Sequence, residues 1–170
     1  MWWKSNRIRK QSYLASRRSS AAGNSVVEPI AERPREIAME YHFTEGQLNG
    51  PADISAVDGL STNLGVALPE SYVDFLKRHD GGEGFIGDNY IIFWKAEELA
   101  DFNREYEVET YAPGIVLFAS NGGGEGYGFD TEYSTMPIVR IPFIGMDRKY
   151  VISVARDLPD LFVQLADRDE

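Results

Sequence analysis

Two glycine-rich acidic segments constrain what this chain can fold into: Gly81-Gly82-Glu83-Gly84-Phe85-Ile86-Gly87-Asp88 and Asn121-Gly122-Gly123-Gly124-Glu125-Gly126-Tyr127-Gly128-Phe129-Asp130. Each abuts an apolar run that reads as a strand. Nine of the 16 glycines sit there, so glycine is concentrated at two places rather than spread along the chain. Glycine serves where φ must be positive or where backbone approaches something closely, and both segments therefore read as tight turns that hold acidic and aromatic side chains in fixed directions. That arrangement suits a surface that displays groups to a partner.

Composition points to one domain. With 170 residues, 43% of them hydrophobic, the chain can bury one real core but is short for two full domains. Cysteine is absent, which excludes a disulfide framework and thiolate chemistry. His42 and His79 are the only histidines, so a zinc site would be nearly all carboxylate, and no metal is expected. The longest apolar runs, Tyr90 to Trp94 and Ile115 to Ala119 among them, are about five residues, far below the roughly 20 that span a bilayer. No membrane contact is expected.

Charge divides the chain. Residues 1–38 carry eight Lys or Arg and three Glu, a net of +5, whereas residues 39–170 carry nine Lys or Arg and 24 Asp or Glu, a net of −15. The first stretch has no acid before Glu28 and no apolar periodicity, so it reads as a basic extension that is disordered or dispensable for folding. Three readings of it stand side by side. It has the Arg- and Ser-rich, acid-poor character of a transit peptide; it could be translated upstream sequence, with Met39 a natural start; or Arg7, Arg9, Lys10, Arg17 and Arg18 could form a nucleic-acid-binding arm. A short solvated tail is the blander description, and no nucleic-acid partner is expected. Residues 39–53 form a lead-in segment, and regular patterning begins at residue 54.

Val57, Leu60 and Leu64 recur at helical spacing, Ser55 and Asp58 fit a capping box, and Gly65 ends the helix. Pro69 starts a second helix with Tyr72, Phe75, Leu76 and His79 on one face, Lys77, Arg78 and His79 at the negative end of its dipole, and Gly81-Gly82 as the stop. Tyr90 to Trp94 reads as a strand buried on both faces, followed by a helix carrying Leu99, Phe102 and Tyr106 that ends before Pro113-Gly114. Ile115 to Ala119 and Tyr127 to Asp130 flank the second glycine segment as a hairpin would; Ile138 to Ile141 and Tyr150 to Val154 add two strands. Asp157 and Asp160 open a closing helix whose stripe is Leu158, Leu161, Phe162 and Leu165. The expectation is a single α+β domain, a largely antiparallel sheet covered by helices in the order α-α-β-α-β-β-β-β-α.

Enzyme readings fail on context. Gly82-x-Gly84-x-x-Gly87 matches the dinucleotide glycine pattern, but that loop must follow a strand and open a helix, and this one does the reverse. A kinase needs a catalytic-loop histidine, and none occurs after His79. Asn121 to Gly128 lacks the Lys-Ser/Thr of a phosphate loop, and Glu125 would repel phosphate. Pairs such as Glu83 with Asp88 or Glu125 with Asp130 could serve as acid and base or as ligands for a hard cation, yet 24 acids in 132 residues produce neighbouring carboxylates by chance. Asp130 reads as a turn residue bonding its own backbone, and Trp94 and Phe129 as core. No catalytic residue, cofactor or small-molecule substrate is expected.

Leu64-Gly65-x-x-Leu68-Pro69-Glu70-Ser71-Tyr72-x-x-Phe75-Leu76, the turn at Asp80-Gly81-Gly82, the Glu97-Glu98-Leu99 helix start and the run Phe118 to Asp130 ending Gly124-Glu125-Gly126-Tyr127-Gly128-Phe129-Asp130 together resemble the SUKH superfamily. The resemblance covers residues 54–167. The chain departs from the pattern at His79-Asp80-Gly81-Gly82, where Asn-Gly-Gly is more usual, and in its basic extension. That superfamily includes yeast regulators of cell-wall assembly and bacterial immunity proteins that neutralise polymorphic toxins, often nucleases. The resemblance thus implies a cytoplasmic, non-catalytic protein-binding domain, either an immunity protein meeting a basic toxin through its acidic surface or a regulatory interaction module. The turns are expected to hold Glu83, Asp88, Glu125 and Tyr127 outward on one side of the sheet for that partner.

Overall fold

The computed structural model describes residues 43–167; the readings made for residues 1–38 lie outside the described residues. The chain runs β1 (Phe43–Leu48), α1 (Ile54–Leu64), α2 (Glu70–Arg78), β2 (Gly82–Ile86), β3 (Asn89–Phe93), α3 (Leu99–Glu105), α4 (Val108–Tyr111), β4 (Ile115–Ser120), β5 (Glu125–Asp130), β6 (Ile138–Pro142), β7 (Ile152–Ala155) and α5 (Leu158–Asp167). The strands form one sheet in sequence order, and each neighbouring pair is antiparallel. The α+β domain read from the sequence is present, and its elements broadly follow the expected order; the one helix expected between Trp94 and Pro113 is broken into α3 and α4 at Glu107, whose φ is 51°, and the last strand starts at Ile152 because residues 148–150 form a single tight turn.

Two strands were not legible. β1 lies inside the stretch that sequence marks only as a lead-in, and β2 is the first glycine segment itself, which reads as a turn. The glycines explain why that segment extends. A Cβ on Gly82 would lie 2.3 Å from the carbonyl oxygen of Gln47, and one on Gly81 would lie 2.5 Å from that of Phe93, so only glycine lets the chain leave α2 between its two neighbour strands. At the hairpin tip Gly87 has φ 58° and sits against the Ala166 backbone at the end of α5.

Helix α2 forms as its pattern requires. Glu70 lies in its first turn and Lys77 and Arg78 in its last; Tyr72, Phe75 and Leu76 are buried. His79 caps the end, its backbone N–H donating to the Phe75 carbonyl, and its ring lies tilted against that of Phe75 with centroids 5.8 Å apart. The cap of α1 differs from the expected Ser55–Asp58 box: the Asp53 carboxylate accepts the Ser55 backbone N–H at 2.8 Å and the Ser55 hydroxyl as well. Asp157 opens α5 as expected, accepting the Asp160 N–H at 2.8 Å.

Both faces of the central strands are covered. On one, Phe93 packs against Phe75 of α2 and Phe162 of α5, and Tyr72 meets Phe118 and Phe129 at 5.1 and 5.3 Å. On the other, Trp94 meets Phe102 and Tyr106, and Tyr106 stacks on Phe143 at 4.4 Å. Asn103 of α3 substitutes for a strand: its amide accepts the Leu117 N–H and donates to the Leu117 carbonyl, both at 2.8 Å, beside the bulge where β4 shifts register.

Candidate interaction surface

Register decides which side chains share a face. Cross-strand partners point to the same side, and successive residues to opposite sides. One row reads Gln47, Glu83, Ile92, Ser120, Gly126, Ile141; the next reads Phe93, Ala119, Tyr127, Arg140, Ile152. Glu83 therefore lies on the face opposite Tyr127. Glu125, two residues before Tyr127, shares the Tyr127 side. The expected single outward display of Glu83, Asp88, Glu125 and Tyr127 is not what the sheet builds.

Each of the four has a different setting. Tyr127 is 2% exposed on the side covered by α2 and α5, a core ring rather than an interface anchor. The sequence signal for this was its spacing of two from Phe129, which is equally buried. Glu125 is half-buried, folded back onto Arg140 Nη1 at 3.4 Å and Asn121 Nδ2 at 2.9 Å. Asn121 in turn accepts the backbone N–H groups of Gly123 and Glu125, so the second glycine segment is a tied loop rather than an open display. Glu83 is half-buried and accepts the Tyr90 hydroxyl at 2.8 Å. Asp88 is exposed in the two-residue loop joining β2 to β3.

Tyr90 brings the two glycine segments together. Its hydroxyl holds Glu83, its ring packs edge-on against Phe85 with centroids 4.9 Å apart, and Gly122 of the second loop is seated on the ring so closely that a Cβ there would be 3.3 Å away. Beside this cluster lies a groove of about 410 Å³ lined by Glu45, Gly46, Gln47, Glu83, Gly84, Phe85 and Tyr90. Its floor is backbone where Gly46 and Gly84 pair, and Glu45 and Gln47 are exposed at its rim. Glu45 was missed in the sequence because β1 was missed.

Among the described residues that line the groove, the charged ones, Glu45 and Glu83, are both acidic. Between Arg78 and Lys95 the chain carries Asp80, Glu83 and Asp88 and no Lys or Arg. Asp80 accepts the Ala96 N–H at 2.8 Å, and the other carboxylates of β1, β2 and the β2–β3 loop among the described residues are Glu45, Glu83 and Asp88. At the far end cations and acids are paired. Arg148 reaches Asp130 with Nη2 at 2.7 and 2.9 Å, Glu132 at 2.7 Å and the Pro113 carbonyl at 2.8 Å; these acids raise its pKa above the ordinary guanidinium value. Asp130 also accepts the Glu132 N–H at 3.2 Å, the turn bond expected of it.

Among the described residues no group of three or more His, Asp or Glu is placed to hold a metal ion. No helix among them is long and apolar enough to cross a membrane. What the groove offers is shape, backbone and negative charge.

Comparison with known proteins agrees with the fold. A Bacillus subtilis (strain 168) protein, "Uncharacterized protein YnaB", is 31% identical over 93 residues, which is 55% of this chain and 52% of that protein, so the chain spans about half the relative's length. The profile of the SMI1 / KNR4 family (SUKH-1) matches residues 51–164, from just before α1 into α5, and on that match the chain belongs to this family.

Proposed function

We propose that this protein is a cytoplasmic, non-catalytic binding domain that neutralises a basic toxin by covering it with the acidic β1–β3 end of its sheet. Family membership supports a protein-interaction or immunity-type role. The observation that carries the finer reading is the placement of Glu45 and Glu83 in one groove, with Asp88 exposed in the loop of the same β2–β3 hairpin and no Lys or Arg in the 79–94 stretch. A nuclease toxin holds phosphates with a basic site, and a carboxylate surface complements it, speeding association and rejecting acidic partners. The −15 charge of residues 39–170 acts in the same direction at longer range. A regulatory module resembling the cell-wall regulators is the second reading; a partner that is harmless to cells when expressed alone would favour it.

The test is a crosslinked capture from the source cell with wild-type protein and with Glu45→Lys/Asp88→Lys, followed by expression of the captured partner. The proposal expects a basic partner that arrests growth alone, is tolerated beside the wild type, and is lost from the charge-reversed bait. Equal recovery on both baits contradicts it.

A further inference from the structure

We propose that β1 is a docking strand: an extended segment of the basic partner adds to the sheet beside Glu45–Leu48, with Lys or Arg at every second position. This inference rests on the acidic-surface reading above and specifies how the partner is held. In the described sheet β1 is an edge, paired with β2 on one side only. A strand added to such an edge gains main-chain hydrogen bonds, and its alternate side chains fall on one face.

The face is chosen by what β1 presents. Glu45 pairs with Phe85 and Gln47 with Glu83, so Glu45, Gln47, Glu83 and the Tyr90 ring opposite Phe85 all project to the groove side. A side chain set directly across from Glu45 on an added strand would stand about 5 Å from it, where opposite charges attract and like charges repel. A long cation one pair further along reaches over Gln47 toward Glu83, whose carboxylate is oriented by the Tyr90 hydroxyl at 2.8 Å. On the reverse side Gly46 and Gly84 carry no side chains, and Leu48 is folded against the core.

Length and charge both favour this edge over the other. β7 is four residues long against six for β1, and the cations that flank it are already paired with acids, Arg148 with Asp130 and Glu132, Lys149 with Asp147 and Arg156 with Asp160. The charged residues lining the groove beside β1, Glu45 and Glu83, are both acidic. Short edge strands are a common guard against edge pairing, so the two ends of this sheet are built differently.

The probes are two fluorescent peptides of identical composition and about nine residues, one alternating Arg and Thr, the other with the Arg residues contiguous. Fluorescence anisotropy with the full chain should show the alternating peptide binding about tenfold tighter, the sum of a few cross-strand charge pairs. N-methylation of its backbone along one edge should remove that advantage, and Glu45→Lys should do the same while circular dichroism stays unchanged. Gln47→Lys is the second variant should Glu45→Lys misfold. Equal binding of the isomers, binding unaffected by N-methylation, or no binding above the Glu45→Lys background overturns the docking strand. The acidic-surface reading fails by a different result, retention of the captured partner by Glu45→Lys/Asp88→Lys.

Discussion

Tyr90 donates its hydroxyl to Glu83 Oε2 at 2.8 Å, across the register of the β2–β3 hairpin and inside the groove. The bond fixes the direction of a carboxylate that would otherwise sample several rotamers. Tyr90→Phe should therefore leave the fold within about 1 kcal/mol of wild type, the usual net worth of one hydrogen bond, while weakening the partner complex. Chemical denaturation and partner titration on the same variant separate the two; equal binding would show that orientation of Glu83 is not used.

The Asp130–Arg148 contact is structural and lies at the opposite end of the sheet. Asp130 is nearly buried, with a side chain 6% exposed against 27% for Arg148. Arg148→Met leaves that carboxylate without its guanidinium and should destabilise by about 2–4 kcal/mol, less than for a fully enclosed pair because water reaches the arginine. The double variant with Asp130→Asn should be more stable than Arg148→Met alone, since the stranded charge is gone. Urea midpoints for the three variants decide this.

Core positions should separate sharply from their surface neighbours. Leu76→Ala and Tyr127→Ala each empty a buried site and should cost about 2–5 kcal/mol, whereas Lys77→Ala, on the exposed side of α2, should cost under about 0.5 kcal/mol. Lys77 pairs with Asp74 at 3.5 Å on an exposed helix face. A Tyr127→Ala variant with an unchanged urea midpoint would return that ring to the list of interface anchors.

Asp160 gives the chain a defined acid sensitivity. The Arg156 backbone N–H and then its guanidinium hold the Asp160 carboxyl below its ordinary value of 3.8. A carboxyl depressed on folding contributes stability above the unfolded-state pKa and loses it as pH falls through the folded-state value. Asp160→Asn should flatten the fall in urea midpoint between about pH 5 and pH 2. An unchanged acid slope would mean that the contact at the start of α5 does not persist in solution.

The parts of the fold that were legible are those where one periodicity acts alone. Tyr72, Phe75 and Leu76 recur at helical spacing, and the Leu158 to Leu165 stripe does likewise, so α2 and α5 could be placed from sequence. β2 was illegible because its glycines, needed for close passage beside Gln47 and Phe93, carry the same signal as a turn. β1 was illegible because an edge strand rimmed by Glu45 and Gln47 has too little apolar alternation to stand out. The face of each acidic residue depended on register, and register shifts of a single residue, such as the one between Leu117 and Ala119, are set by backbone pairing that composition does not record. That is why Glu83 and Glu125 read alike in sequence and lie on opposite sides of the sheet.

The most direct test of the acidic β1–β3 surface is the association rate of the purified partner across a salt series, for wild type and Glu45→Lys/Asp88→Lys, with melting temperatures recorded for both. Both positions are exposed, so melting should be nearly unchanged. Association should be fast and strongly salt-sensitive for the wild type, and about tenfold or more slower at low salt with a shallower salt dependence for the variant. Identical rates at low and high salt, with both proteins folded, would contradict the account and place the partner elsewhere on the domain.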